Sequence, residues 1–98
     1  MVNITILDLT KRVYTFDDGF LVFQKINEAF SKNERVTLSF KGVDAIPSSF
    51  ANGCFVQLLN DYGIDRIKSD LQIIESTKQI NTMIKARFAF EAQRTKDK

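Results

Sequence analysis

Apolar residues along this chain recur with two periods. In residues 2–9, VNITILDL, the residues Val2, Ile4 and Ile6 take every second position, the spacing of a half-buried strand. Residues 36–40, VTLSF, alternate in the same sense and run into the loop 41–44; residues 71–75, LQIIE, make a third short strand. A further strand over residues 13–15 is expected to pair back on the first across Thr10, Lys11 and Arg12. Between them the period lengthens. Over residues 17–30 the stripe is Phe20, Phe23, Ile26 and Phe30, widened by Leu21, Val22 and Ala29, and Asp17 and Asp18 put negative charge where a helix starts. Over residues 49–62, Ala51, Cys54, Phe55, Leu58, Leu59 and Tyr62 share one helical face, with Gly63 as the C-terminal cap. Over residues 77–90 the stripe is Ile80, Met83, Ile84, Arg87 and Phe88, preceded by a capping-box sequence at residues 76–79.

The order β(β)αβαβα predicts a small α/β sandwich with a mixed, mainly parallel sheet and helices over one face or both. Repeats, low-complexity tracts and interdomain linkers are absent from the sequence, so residues 1–90 read as one domain and the charged residues 91–98 as a frayed, flexible tail.

Composition narrows the chemistry. The 98 residues include no His, no Trp and one Cys, so a single chain cannot build a His- or Cys-based metal or haem site, an intramolecular disulfide, or Ser-His-Asp or Cys-His machinery. The expectation is a protein that is not an enzyme and holds no cofactor or metal. The opening residues carry Asp8 within the apolar stretch and no preceding basic cluster, unlike a signal peptide, and no window approaches the roughly 18 apolar residues of a membrane helix. A cytoplasmic protein without a membrane partner is expected. The net charge of +2 gives no argument for nucleic acid as such, but it is uneven. Residues 76–98 hold Lys78, Lys85, Arg87, Arg94, Lys96 and Lys98 against Glu91 and Asp97, a net of +4, which leaves −2 for the remainder.

The segment richest in functional signals is residues 36–62, where a strand leads through a loop into Pro47-Ser48-Ser49-Phe50 and an amphipathic helix. In α/β proteins the carboxyl end of a strand and the start of the next helix form the usual functional edge. A serine there either caps the helix, contributing about 1 kcal/mol, or offers a hydroxyl beside unpaired N–H groups where a phosphate is well placed. Cys54, on the apolar stripe with no cation near it in sequence, reads as a small buried hydrophobe rather than a reactive thiol. Gly53, inside a helix, marks a close approach to a strand or to the backbone of a partner.

The run Leu38-Ser39-Phe40-Lys41-Gly42-Val43-Asp44-Ala45-Ile46-Pro47-Ser48-Ser49-Phe50-Ala51, followed by a helix, resembles the STAS-like domain family of unknown function. That family is related to the STAS domains of sulphate transporters and anti-sigma factor antagonists. In the antagonists a D-S-S-G sequence precedes the helix, and its first serine is phosphorylated by an anti-sigma kinase. By position Ser48 matches that serine and Ser49 the second. The Asp before the pair and the Gly after it are replaced here by Pro47 and Phe50. The resemblance implies a partner-switching regulatory module that binds a histidine-kinase-type ATPase or other regulator. Contact would run through Asp44, Pro47, Ser48, Ser49 and Asn52 and the exposed face of the following helix, with Ser48, then Ser49, as the implied phosphorylation site. Two rival readings come from the residues alone: a nucleic-acid or nucleotide-binding module using the basic C-terminal helix and tail, and a homo-oligomeric subunit, since Phe16, Phe20, Phe23, Phe30, Phe88 and Phe90 exceed what one small core need hide.

Overall fold

A computed structural model describes residues 1–96. Three strands, β1 (Val2–Thr5), β2 (Val36–Ser39) and β3 (Leu71–Ile74), form one sheet in the order β1-β2-β3 with every pairing parallel. The helices are α1 (Ile6–Leu9), α2 (Phe16–Ser31), α3 (Ser48–Ala51), α4 (Gln57–Tyr62), α5 (Ile64–Asp70) and α6 (Lys78–Lys96), and a π-helical turn, Asn52–Val56, joins α3 to α4 in one continuous run. Strands laid down side by side in sequence order, each joined by a right-handed crossover, place both connections on the same face. That face carries Val2, Ile4, Val36, Leu38, Leu71 and Ile73 and packs on Val22 and Ile26 of α2, Phe50, Phe55 and Leu58 of the central run, and Ile80 and Ile84 of α6. Asn3, Thr5, Thr37, Ser39, Gln72 and Ile74 point to the other face, and none of them joins the hydrophobic core.

Four local structures differ from the sequence expectation. Residues 13–15 are not a strand: Thr15 caps α2, accepting a hydrogen bond from the Asp18 N–H, while the Asp18 carboxylate accepts from the N–H groups of Tyr14 and Thr15, each at 3.1 Å. This capping box occupies the donors a sheet ladder would need. The first strand ends at Thr5, and Ile6–Leu9 turns helical, burying Ile6 and laying Leu7 over Gly42, where a Cβ would come within 2.8 Å of Leu7 Cδ1 and the φ of +84° is one that side chains rarely adopt. An additional helix, α5, occupies the segment before β3, while the sheet, expected to be mainly parallel, is parallel in every pairing. The last helix runs through Lys96, beyond its apolar stripe; Asp97 and Lys98 lie outside the described residues.

Gly53 makes its close approach to a helix rather than to a strand. A Cβ on Gly53 would overlap the Phe16 carbonyl oxygen of α2, and a Cβ on Gly19 would overlap the Phe50 carbonyl oxygen. Most of the phenylalanine surplus is absorbed into the fold. Phe23 and Phe30 are buried, and Phe20 and Phe88 pack against the core, which leaves Phe16 (43% exposed) and Phe90 (52%) at the surface. Arg66 of α5 ties that helix to the end of α2: it donates to the Phe30 carbonyl at 2.9 Å, pairs with Asp70, and lies 4.7 Å from the Phe30 ring centroid.

Candidate functional site

The site is built at the carboxyl edge of the sheet, where β2 leaves for the serine loop. Ser39, its last residue, donates its hydroxyl to Glu75 Oε1 at 3.0 Å and accepts the Lys41 N–H at 3.2 Å, linking the exits of β2 and β3. Glu75 reaches it from a left-handed backbone, φ 53°. A turn then closes with the Val43 N–H donating to the Phe40 carbonyl at 2.8 Å, and Val43 and Ile46 are buried beneath the loop.

Two residues at the start of α6 hold the loop from the other side. Gln79 pairs reciprocally with Ile46, accepting its N–H and donating to its carbonyl, both at 3.0 Å. Thr77 donates to the Asp44 carbonyl at 2.7 Å and accepts the Ile80 N–H at 3.3 Å as the cap of α6. The capping-box sequence at residues 76–79 is not used in that register: Thr77 rather than Ser76 caps the helix, with Ile80 three residues on, and the Gln79 amide is committed to the loop.

Within this frame the five expected contact residues take different roles. Asp44 is exposed. Pro47 occupies the N-cap position, where it offers no side-chain acceptor, so neither serine caps the helix as its sequence position suggests. Ser49, half-buried, donates its hydroxyl to the Tyr14 carbonyl at 2.5 Å and so clips the serine loop to the chain before α2. Ser48 is exposed, and its hydroxyl makes no hydrogen bond among the described residues. Asn52 lies one turn further on, on the same face as Ser48; its carbonyl accepts from Gln57 Nε2, and its side-chain oxygen is buried without a partner.

The helix that follows the serines is covered on both sides, by α2 and by α6, and Phe50, Ala51, Gly53, Cys54, Phe55, Val56 and Leu58 are buried. The exposed face expected of it shrinks to its first turn and its last, Asn60 and Asp61. Cys54 is fully buried, and burial alone pushes its thiol far above the ordinary range, as a structural cysteine requires.

Two residues outside the expected set flank the serines. The Ser49 hydrogen bond and the Gly53 contact bring Tyr14 (66% exposed) and Phe16 beside the loop, where Phe16 stacks on Phe20 with centroids 6.2 Å apart. Nothing in the sequence around Tyr14 signals this, since its partner lies 35 residues away. The basic segment is less concentrated than its count suggests. Lys78 and Lys85 are exposed, whereas Arg87 pairs with Glu91 and stacks its guanidinium 5.0 Å from the Phe90 ring; the side chains of Arg94, Lys96 and Lys98 lie outside the described residues. No helix among the described residues is long and apolar enough to cross a membrane.

Comparison with known proteins agrees with this architecture. No curated protein and no solved structure matches the chain. A family model does: that of the STAS-like domain of unknown function matches residues 18–81, from the first turn of α2 to the first turn of α6. The match takes in nearly all of α2, then β2, the serine loop, β3, and Thr77 and Gln79 that clamp the loop, and on that ground the chain belongs to the STAS-like domain family.

Proposed function

We propose that this chain is a non-enzymatic regulatory module that binds a protein partner through its serine loop, and that phosphorylation of Ser48 switches the interaction. The partner is a histidine-kinase-type ATPase or another regulator. The observation that carries this reading is the division of labour between adjacent serines: Ser49 is used internally on Tyr14, while Ser48 is exposed and unengaged on the first turn.

The surroundings support it. The first N–H to close the helix belongs to Ala51, bonded to the Pro47 carbonyl, so the N–H groups of residues 48–50 have no partner within the helix, and Pro47 supplies no side-chain acceptor. A phosphate on Ser48 would carry a charge near −2 to the positive end of the helical run. In the transfer the Ser48 oxygen takes the γ-phosphoryl group of ATP, ADP leaves, and the hydroxyl proton passes to a base of the kinase. Because Gln79 and Thr77 hold the loop from below, the added charge changes the surface a partner meets rather than dissolving the fold. Asp44, Pro47 and the aromatic side chains of Tyr14 and Phe16 complete that surface, which the covered helix behind it does not extend.

Incubation with ATP and a histidine-kinase-type ATPase tests the modification. Phosphopeptide mapping is expected to place the phosphate on Ser48 and leave Ser49 unmodified. A phosphate found only elsewhere, or none at all, overturns the switch.

A further inference from the structure

The sheet ends in an open edge at β1. Val2 and Ile4 face β2, as shown by the Val2 N–H donating to the Arg35 carbonyl at 2.8 Å and by the Val2–Val36 and Ile4–Leu38 register. In a parallel ladder alternate residues serve opposite neighbours, so the N–H and C=O of Asn3 and the N–H of Thr5 point away from the sheet. No strand among the described residues takes them up. Beside this edge runs a groove of about 350 Å³ between β1 and the flank of α2. Its charged lining is Lys25 and Lys32 against Asp8, Glu28 and Glu34, and none of these five joins an ion pair among the described residues.

We propose that a second copy of this chain occupies the edge, pairing β1 antiparallel with β1 across a two-fold axis at Asn3. The edge is self-complementary in three respects. With the axis at Asn3, each copy's Asn3 gives its N–H to, and takes the N–H from, Asn3 of the other copy, so the central donors and acceptors are satisfied without any third component. The same register sets Val2 opposite Ile4 of the second copy, which extends the apolar, helix-covered face across the seam, while Asn3 meets Asn3 on the polar face. The two α2 helices then run antiparallel along the seam. Lys25 and Lys32, three and four residues either side of Glu28, face a groove of mixed sign that an identical antiparallel surface complements. The product is a continuous six-stranded sheet, close to the commonest size, in which the two β1 edges are paired and β3 forms the edge at either end. Ser48 lies away from this edge, on the loop after β2, so the dimer presents two serine loops.

Sedimentation equilibrium of the purified full chain from micromolar to millimolar concentration tests the arrangement. A monomer–dimer equilibrium is expected. Asn3→Pro removes an N–H that points off the sheet, so the β1–β2 ladder survives, and the dimer dissociation constant is expected to rise about tenfold or more from the loss of two symmetry-related hydrogen bonds. Asn3→Asp, which keeps the backbone donor but sets two carboxylates face to face, is expected to weaken the dimer in a salt-dependent way, with the far-ultraviolet circular dichroism of both variants unchanged. A wild-type chain that stays monomeric throughout overturns the proposal. So does a dimer that tolerates both Asn3 substitutions, or one lost instead on Phe16→Ser or Phe90→Ser.

Discussion

Gly19 of α2 and Gly53 of the π-helical turn form a reciprocal contact, each lying where a side chain would collide with the backbone of the other's helix. A Cβ on Gly19 would also come within 3.1 Å of the Cys54 nitrogen, and one on Gly53 within 3.1 Å of the Phe16 Cα. Two helix backbones approach this closely only where neither carries a side chain, and the turn that widens to five residues sits at the crossing.

Gly53→Ala and Gly19→Ala are therefore expected to destabilise the fold. Alanine gains about 0.5–1 kcal/mol over glycine as a helix former, but the obstacles here are backbone atoms that cannot rotate aside. A net loss of about 2–3 kcal/mol in urea unfolding is expected for each. Unchanged or raised stability would show that the helices separate at little cost.

The two serines are expected to separate cleanly in stability. Ser49→Ala removes the donor to the Tyr14 carbonyl and is expected to cost about 1 kcal/mol. Ser48→Ala touches nothing and is expected to stay within about 0.5 kcal/mol of wild type in the same measurement. Equal losses would remove the distinction on which the switch rests.

Gln79→Ala withdraws the partners of both the Ile46 N–H and the Ile46 carbonyl. Leaving part-buried polar groups unpaired costs about 1–3 kcal/mol, and the loss is local. Hydrogen exchange of the amides in residues 43–47 is expected to accelerate well beyond that of β2. Uniform acceleration over the whole chain would show that Gln79 acts on global stability alone.

The cap of α2 carries a pH dependence. Slight burial of Asp18 works to raise its pKa, but hydrogen bonds from the Thr15 and Tyr14 N–H groups and the Thr15 hydroxyl, with the nearby Arg12 charge, together hold it below the ordinary carboxylate value. A carboxyl lowered in the folded state stabilises the fold at pH values above its unfolded pKa, about 3.9. That contribution is lost as pH falls through the folded value. Asp18→Asn is expected to lower stability at pH 7 and to narrow its gap to wild type as the solution is acidified below pH 4. A gap constant from pH 7 to pH 3 would contradict the assignment.

How much of this the sequence discloses depends on the range of the interaction. Strands β1, β2 and β3 and helices α2 and α6 are legible because their apolar periods are set by the sheet face or helix stripe they bury. The segment at residues 13–15 misleads because Val13 is a core residue with a β-branched neighbour at Thr15, whereas its backbone donors are claimed by Asp18. Helix α5 hides because only Ile64 and Ile67 mark its stripe, directly after a glycine that ends the preceding helix. At the site the serine pair is legible as a motif. What distinguishes Ser48 from Ser49 is not, since it rests on a carbonyl 35 residues distant, and the clamp by Gln79 spans 33.

The most direct test of the central claim is the affinity of the purified chain for a histidine-kinase-type ATPase, the proposed partner, measured by calorimetry for wild type, Ser48→Ala and Ser48→Asp. Ser48→Ala is expected to bind like the unmodified protein, while Ser48→Asp, which places a lasting negative charge on the first turn, is expected to shift the dissociation constant by about tenfold or more. Identical affinities for all three proteins, each folded by circular dichroism, would contradict a switch at Ser48.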